Sequence, residues 1–119
     1  MPQYRRPTRA EPGPETGKAY DAAVEIRILY FEGCPHAELA RERVSALLRD
    51  PETIHMQLID SPDDAVREGM HGSPTILVDG IDPFASPGTA ASWSCRIYQT
   101  PDGPAGAPSL VQIASALGR

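Results

Sequence analysis

Over residues 24–31 the chain alternates, with Val24, Ile26, Ile28 and Tyr30 on one face and with Leu29 and Phe31 making the far end apolar on both. Directly after Gly33-Cys34-Pro35 the period changes. Ala37, Ala40, Val44, Leu47 and Leu48 recur at helical spacing, while Glu38, Arg41, Glu42, Ser45 and Arg49 fill the other side. Ile54, Met56 and Leu58 then return to alternation against His55 and Gln57. A strand, a helix and a second strand in this order close as a right-handed crossover with the strands parallel. No other feature restricts the fold as much, because it commits the first part of the chain to a βαβ unit.

The rest of the chain extends that unit. Pro35 suits the first helical position, where its missing N–H is not needed, and Asp50-Pro51 ends the helix. Ser61-Pro62-Asp63-Asp64 predicts a short second helix, capped by Ser61 and with two acids meeting its dipole, that stops near Gly69. His71-Gly72-Ser73-Pro74-Thr75 leads into a strand at Ile76-Leu77-Val78 and a turn at Asp79-Gly80. Residues 81–94, rich in Pro, Gly, Ser and Ala, are too long for a tight hairpin, and loops of this length in small domains usually carry function or move. Cys95-Arg96-Ile97-Tyr98-Gln99 predicts a last short strand, Pro101-Asp102-Gly103 a turn, and Pro108 opens a terminal helix through Leu110, Val111, Ile113, Ala114 and Leu117. The expected order is βαβαββα: an α/β fold with a mixed central sheet and helices on both faces.

The chain of 119 residues suffices for one domain. Residues 1–22 hold four prolines and two glycines and almost nothing apolar, so the expectation is a disordered tail over 1–22 and a domain over 23–119. The tail carries four of the 11 Lys/Arg and three of the 16 acids, which leaves seven bases against thirteen acids in the foldable part. Such an acidic balance, with a net charge of −5, excludes the clustered cationic face of a nucleic-acid binder. A basic arm at Arg5, Arg6 and Arg9 is interrupted by Glu11 and Glu15, and no apolar stretch follows where a signal peptide needs one. No apolar run is long enough to span a membrane. Two cysteines, Cys34 and Cys95, do not make a disulfide framework, so free thiols in the cytoplasm are the expectation.

An element order of this kind, with a cysteine at the first strand–helix junction and Gly72-Ser73-Pro74-Thr75 before the third strand, resembles the thioredoxin fold over about residues 24–118. The resemblance implies that Pro74 is a cis-proline facing Cys34 and keeping the neighbouring backbone available to an extended substrate. Cys34-Pro35-His36 is similar to the start of the Cys-Pro-His-Cys site of periplasmic disulfide oxidoreductases. The run Ser94-Cys95-Arg96-Ile97-Tyr98, followed by Thr100-Pro101-Asp102-Gly103 and Gly106-Ala107-Pro108, resembles small thioredoxin-like proteins, some of which are called organomercurial (alkylmercury) lyases. Two departures stand out. Ala37 replaces the family's second, resolving cysteine, and Ile28 replaces its buried acid. Without a resolving thiol at Ala37, a mixed disulfide on Cys34 waits for an external thiol or another cysteine of the chain.

The chemical candidates follow. Cys34 is either a small buried hydrophobe or a reactive thiol, and its place at a helix start, where unpaired N–H groups and the dipole favour the thiolate, points to the second. His36 can add a donor or a charge, or lie in solvent. Pro74 is either an ordinary strand-opening trans-proline or the cis residue of the resemblance. Cys95 lies remote from Cys34 if the fourth strand runs antiparallel to the third; if the 81–94 loop folds back, Trp93 and Cys95 approach the active edge. The catalytic candidates are thus Cys34, Cys95 and His36, and the substrate-side candidates Pro35, Ser73, Pro74 and Trp93. His55 and His71 have no zinc-type spacing with the thiols, so neither a metal nor a cofactor is expected. Asp60, Asp79 and Asp82 read as turn and cap residues, Asp82 gaining interest only if a lyase must protonate a leaving carbon. Three functions fit: thiol–disulfide exchange with a protein disulfide or small thiol, soft-metal or organomercurial chemistry on both thiols, and a non-catalytic binding module. Neither nucleic acid nor a membrane is expected as a partner.

Overall fold

The computed structural model describes residues 23–119, so the expected tail over 1–22 lies outside the described residues. In chain order the elements are β1 (Ile26–Tyr30), α1 (Ala37–Ser45), β2 (Ile54–Leu58), α2 (Pro62–Glu68), β3 (His71–Ser73), β4 (Thr75–Val78), β5 (Ser92–Cys95), β6 (Tyr98–Thr100), β7 (Gly103–Ala105) and α3 (Leu110–Ala116). β1 is central in a mixed sheet, pairing β2 in parallel from Ile26↔Ile54 to Tyr30↔Leu58, and β4 antiparallel. The βαβ unit is therefore present as the alternation requires.

Alternation on β1 also sorts the core. Ile26 and Ile28, with Ile76 of β4, meet Ala40 and Val44 of α1 and Ile113 of α3 on one face. Leu29 and Leu77 point the opposite way, onto Ala65 of α2, Ile59 and Met70. Helices thus cover both faces of the sheet. Ile26, Ile28, Leu29 and Ile76 are at most 1% exposed, and each such side chain contributes about 1.5–3 kcal/mol relative to exposure. Ser61 caps α2, its Oγ accepting from Asp64 N at 3.1 Å. Among the described residues no helix is long and apolar enough to cross a membrane.

Three boundaries differ from expectation. α1 opens at Ala37 with His36 as its N-cap, so Pro35 precedes the helix rather than starting it. Phe31 O accepts from Cys34 N at 3.2 Å, and this turn must close before the helix can begin. At the other end, α1 stops at Ser45 and relaxes into tighter turns, with Leu47 N bonded to Val44 O at 2.9 Å. α3 starts at Leu110 behind a reciprocal capping box of Ser109 and Gln112, with Pro108 outside it.

The larger correction concerns residues 95–99, expected as one last short strand. They divide. Cys95 closes β5, which runs parallel to β3, while Tyr98 opens β6, which forms a hairpin with β7. Between the two, Arg96 turns its side chain inward to the buried Asp82 carboxylate, 14 residues away along the chain. Gly72 makes the close approach possible, since a Cβ there would lie 2.9 Å from Arg96 Cβ and 3.2 Å from Ser94 O, at φ +102°.

Candidate functional site

At the carboxyl end of β1 the chain turns through Glu32-Gly33 to Cys34, which is half-buried and unbonded to Cys95. The turn is fastened to the segment before β4: Phe31 N–H donates to Ser73 Oγ at 3.2 Å. Ser73 is fully buried, Pro74 follows it through a cis peptide bond, and the buried Tyr98 hydroxyl donates to Pro74 O. Thr75 closes the same corner, its Oγ1 accepting from His71 N at 2.9 Å and donating to Gly72 O at 2.6 Å. Ser73 and Thr75 are both 0% exposed, and the Thr75–Gly72 and Tyr98–Pro74 hydrogen bonds are buried, where losing a partner is most costly.

The 81–94 loop returns the chain to this corner. β5 lies along β3 with Cys95 in register with Ser73, and Ser73 O accepts from Arg96 N at 3.1 Å. Exposed Cys95 thus stands in register with Ser73, the residue whose Oγ accepts from Phe31 N where the chain turns to the half-buried Cys34. Trp93 reaches across to the end of β2, donating from Nε1 to Ile59 O at 3.0 Å and meeting Phe31 edge-on at 6.1 Å. The backbone edge expected to lie open for an extended substrate is thus taken at Ser73 O by the chain's own β5.

Two sequence candidates fall elsewhere. Pro35 is exposed on the turn, and the half-buried His36 rests its ring on Gly106, where a Cβ would collide with it. His36 makes no side-chain capping bond to α1. His55 is exposed on β2, opposite Arg27. Among the described residues no three His, Cys, Asp or Glu side chains gather as a metal-holding group.

Comparison with protein-family models, curated proteins and solved structures found no match.

What residue patterns did not disclose is the polar cluster behind the thiols. Asp82, 3% exposed, accepts from Arg96 Nη1 at 2.6 Å and lies 2.7 Å from His71 Nδ1. Burial alone would raise its carboxyl, but the hydrogen bonds of Arg96 and His71 outweigh that and hold it below the ordinary carboxylate value. An acid so held is a poor proton donor, which weakens the lyase role considered for Asp82. Arg96 also lies over the Tyr98 ring at 4.5 Å. Burial pushes the Tyr98 phenol up, with the charges of Asp82 and Cys34 adding to it and Arg96 offsetting part. Tyr98 consequently stays protonated and keeps donating to Pro74. The only sequence signal was chemical: a lone arginine directly after Cys95 and a lone aspartate in Ile81-Asp82-Pro83, with nothing local to pair them.

Proposed function

We propose that the chain is a thioredoxin-like thiol oxidoreductase in which Cys34 attacks and Cys95 resolves. The observation that supports this reading is the register of Cys95 with Ser73, the same residue whose Oγ accepts from Phe31 N at the start of the Cys34 turn. The thiol missing at Ala37 then has a substitute that arrives from β5 rather than from the first turn of α1. In the forward direction the Cys34 thiolate attacks one sulfur of a disulfide RSSR′, forming a Cys34–SR mixed disulfide and releasing R′S⁻. The Cys95 thiolate then attacks the Cys34 sulfur, forming Cys34–Cys95 and releasing RS⁻. Two protein thiols are oxidised, the substrate disulfide is reduced by two electrons, and the two thiol protons leave with the products. An external dithiol restores the starting state.

Because β5 already uses Ser73 O, a small thiol or disulfide fits this edge more readily than an extended protein segment. A reducing, cytoplasmic setting suits two free thiols. Oxidised glutathione followed by mass spectrometry tests the scheme. The wild-type chain should end as an internal disulfide, Cys95→Ser should accumulate one glutathione on Cys34, and Cys34→Ser should react far more slowly. Equal modification of the two cysteines, with no internal disulfide, would reject it. Stoichiometric mercuric-ion binding that needs both cysteines, without disulfide exchange, would favour the soft-metal reading instead. A Cys34→Ala chain with undiminished cellular activity would select the binding module.

A further inference from the structure

β1 and β2 end side by side, Ile59 N–H donating to Tyr30 O at 2.7 Å. The residues just beyond them, Phe31, Glu32, Ile59 and Asp60, line a cavity of about 390 Å³ together with Leu58 and Trp93. Crevices at the carboxyl ends of parallel strands are the places where open α/β sheets take small ligands, and this volume is in the range of such sites. Phe31 and Trp93 meet there with ring planes at 76°, so the corner between them offers π surface on two sides. The indole is fixed by its bond to Ile59 O but remains 41% exposed, and Leu58 beside it is 48% exposed.

The rim is acidic. Glu32 and Asp60 are both exposed, and neither carboxylate has a hydrogen bond or ion pair among the described residues. This differs from the other acids near the thiols, since Asp82 is fully engaged by Arg96 and His71. Ring faces attract cations through their quadrupole, and two uncompensated carboxylates at the mouth add to that attraction. A small hydrated metal ion would gain little from the aromatic corner, an anion would be repelled by the rim, and a neutral apolar ligand would leave the carboxylates unused. We infer that this cavity binds a small organic cation bearing a methylated ammonium group. The site uses neither thiol, so it stands or falls separately from the redox scheme above.

Trp93 is the single tryptophan of the chain and therefore reports on the cavity directly. Its fluorescence is titrated with choline and, in parallel, with 3,3-dimethyl-1-butanol, the neutral carbon analogue of the same shape, at constant ionic strength set with ammonium chloride. Choline should give a saturable change with an affinity about tenfold above that of the neutral analogue. In a Glu32→Gln/Asp60→Asn chain, whose circular dichroism should be unaltered because both positions are exposed, that preference should shrink to about twofold or less. No saturable change with choline, equal affinity for the two probes, or a preference that survives the double substitution would each overturn the assignment.

Discussion

Glu52 closes the sheet at the end opposite the thiols, and its replacement by glutamine gives a sharp test of how this fold is held. The side chain is 1% exposed and its carboxylate accepts from Val24 N at 2.9 Å, Arg49 N at 2.9 Å, and Arg119 Nη1 and Nη2 at 2.8 and 2.5 Å. The Arg119 hydrogen bonds, against the opposing effect of burial and with help from the two backbone N–H groups, hold the carboxyl down to about 2 from 4.5. At about 1.36 kcal/mol per pH unit that gap corresponds to about 3 kcal/mol of stability. Salt screening trims the expected loss for Glu52→Gln to about 2–3 kcal/mol at pH 7. The folded-state value is the lower one, so the contribution is complete above 4.5 and drains as pH falls towards 2. By pH 3 roughly half of it should be gone. Urea titrations of both chains, followed by circular dichroism at pH 7, 4 and 3, measure the difference. A stability gap that stays constant or widens on acidification would refute the reasoning, as would a gap below about 0.5 kcal/mol at pH 7.

Tyr98→Phe removes the hydroxyl that donates to the buried Pro74 carbonyl and should cost about 1–3 kcal/mol in urea unfolding, a neutral result being contrary to the packing described. Asp82→Asn leaves the Arg96 guanidinium, 9% exposed, without its charge partner and should cost about 3–5 kcal/mol. The same carboxyl is held below 3.8, so its share of wild-type stability is complete above that value and lost on further acidification, and the Asn chain should show a flatter pH dependence below it. Gly72→Ala, at φ +102° and 2.9 Å from Arg96 Cβ, should loosen β5 from β3 at a cost of about 2 kcal/mol and speed alkylation of Cys95 by iodoacetamide.

The parts of the molecule legible in the sequence are those decided within a few residues. The alternation through Ile26 and Ile28, the Ser61-Pro62 helix start and the Asp79-Gly80 turn each act through neighbours in the chain, and each is found where the pattern puts it, although β1 begins at Ile26 rather than at Val24. The Ser73-Pro74 corner was legible as a feature, though not the hydrogen bonds from Phe31 and Tyr98 that fix it. β5 was missed because its partner is β3, across the long loop, and because Gly72 matters for what approaches it rather than for its own turn. The Arg96–Asp82 pair has the same character: both residues are unremarkable along the chain and become buried partners only through tertiary folding. Helix ends slipped where turn closure at Cys34 and the tightening after Ser45 overrode the apolar period.

The hold of β5 on Ser73 has a kinetic consequence. A segment tethered to its own docking edge through residues 74–91 competes with any incoming strand at a local concentration on the order of millimolar. An extended partner with micromolar affinity for the bare edge thus meets an occupied one, and its access is limited by how often β5 lifts. That opening is first-order and internal to the chain. Raising the partner's concentration speeds capture only until the opening rate is reached, and beyond it the edge sets its own pace.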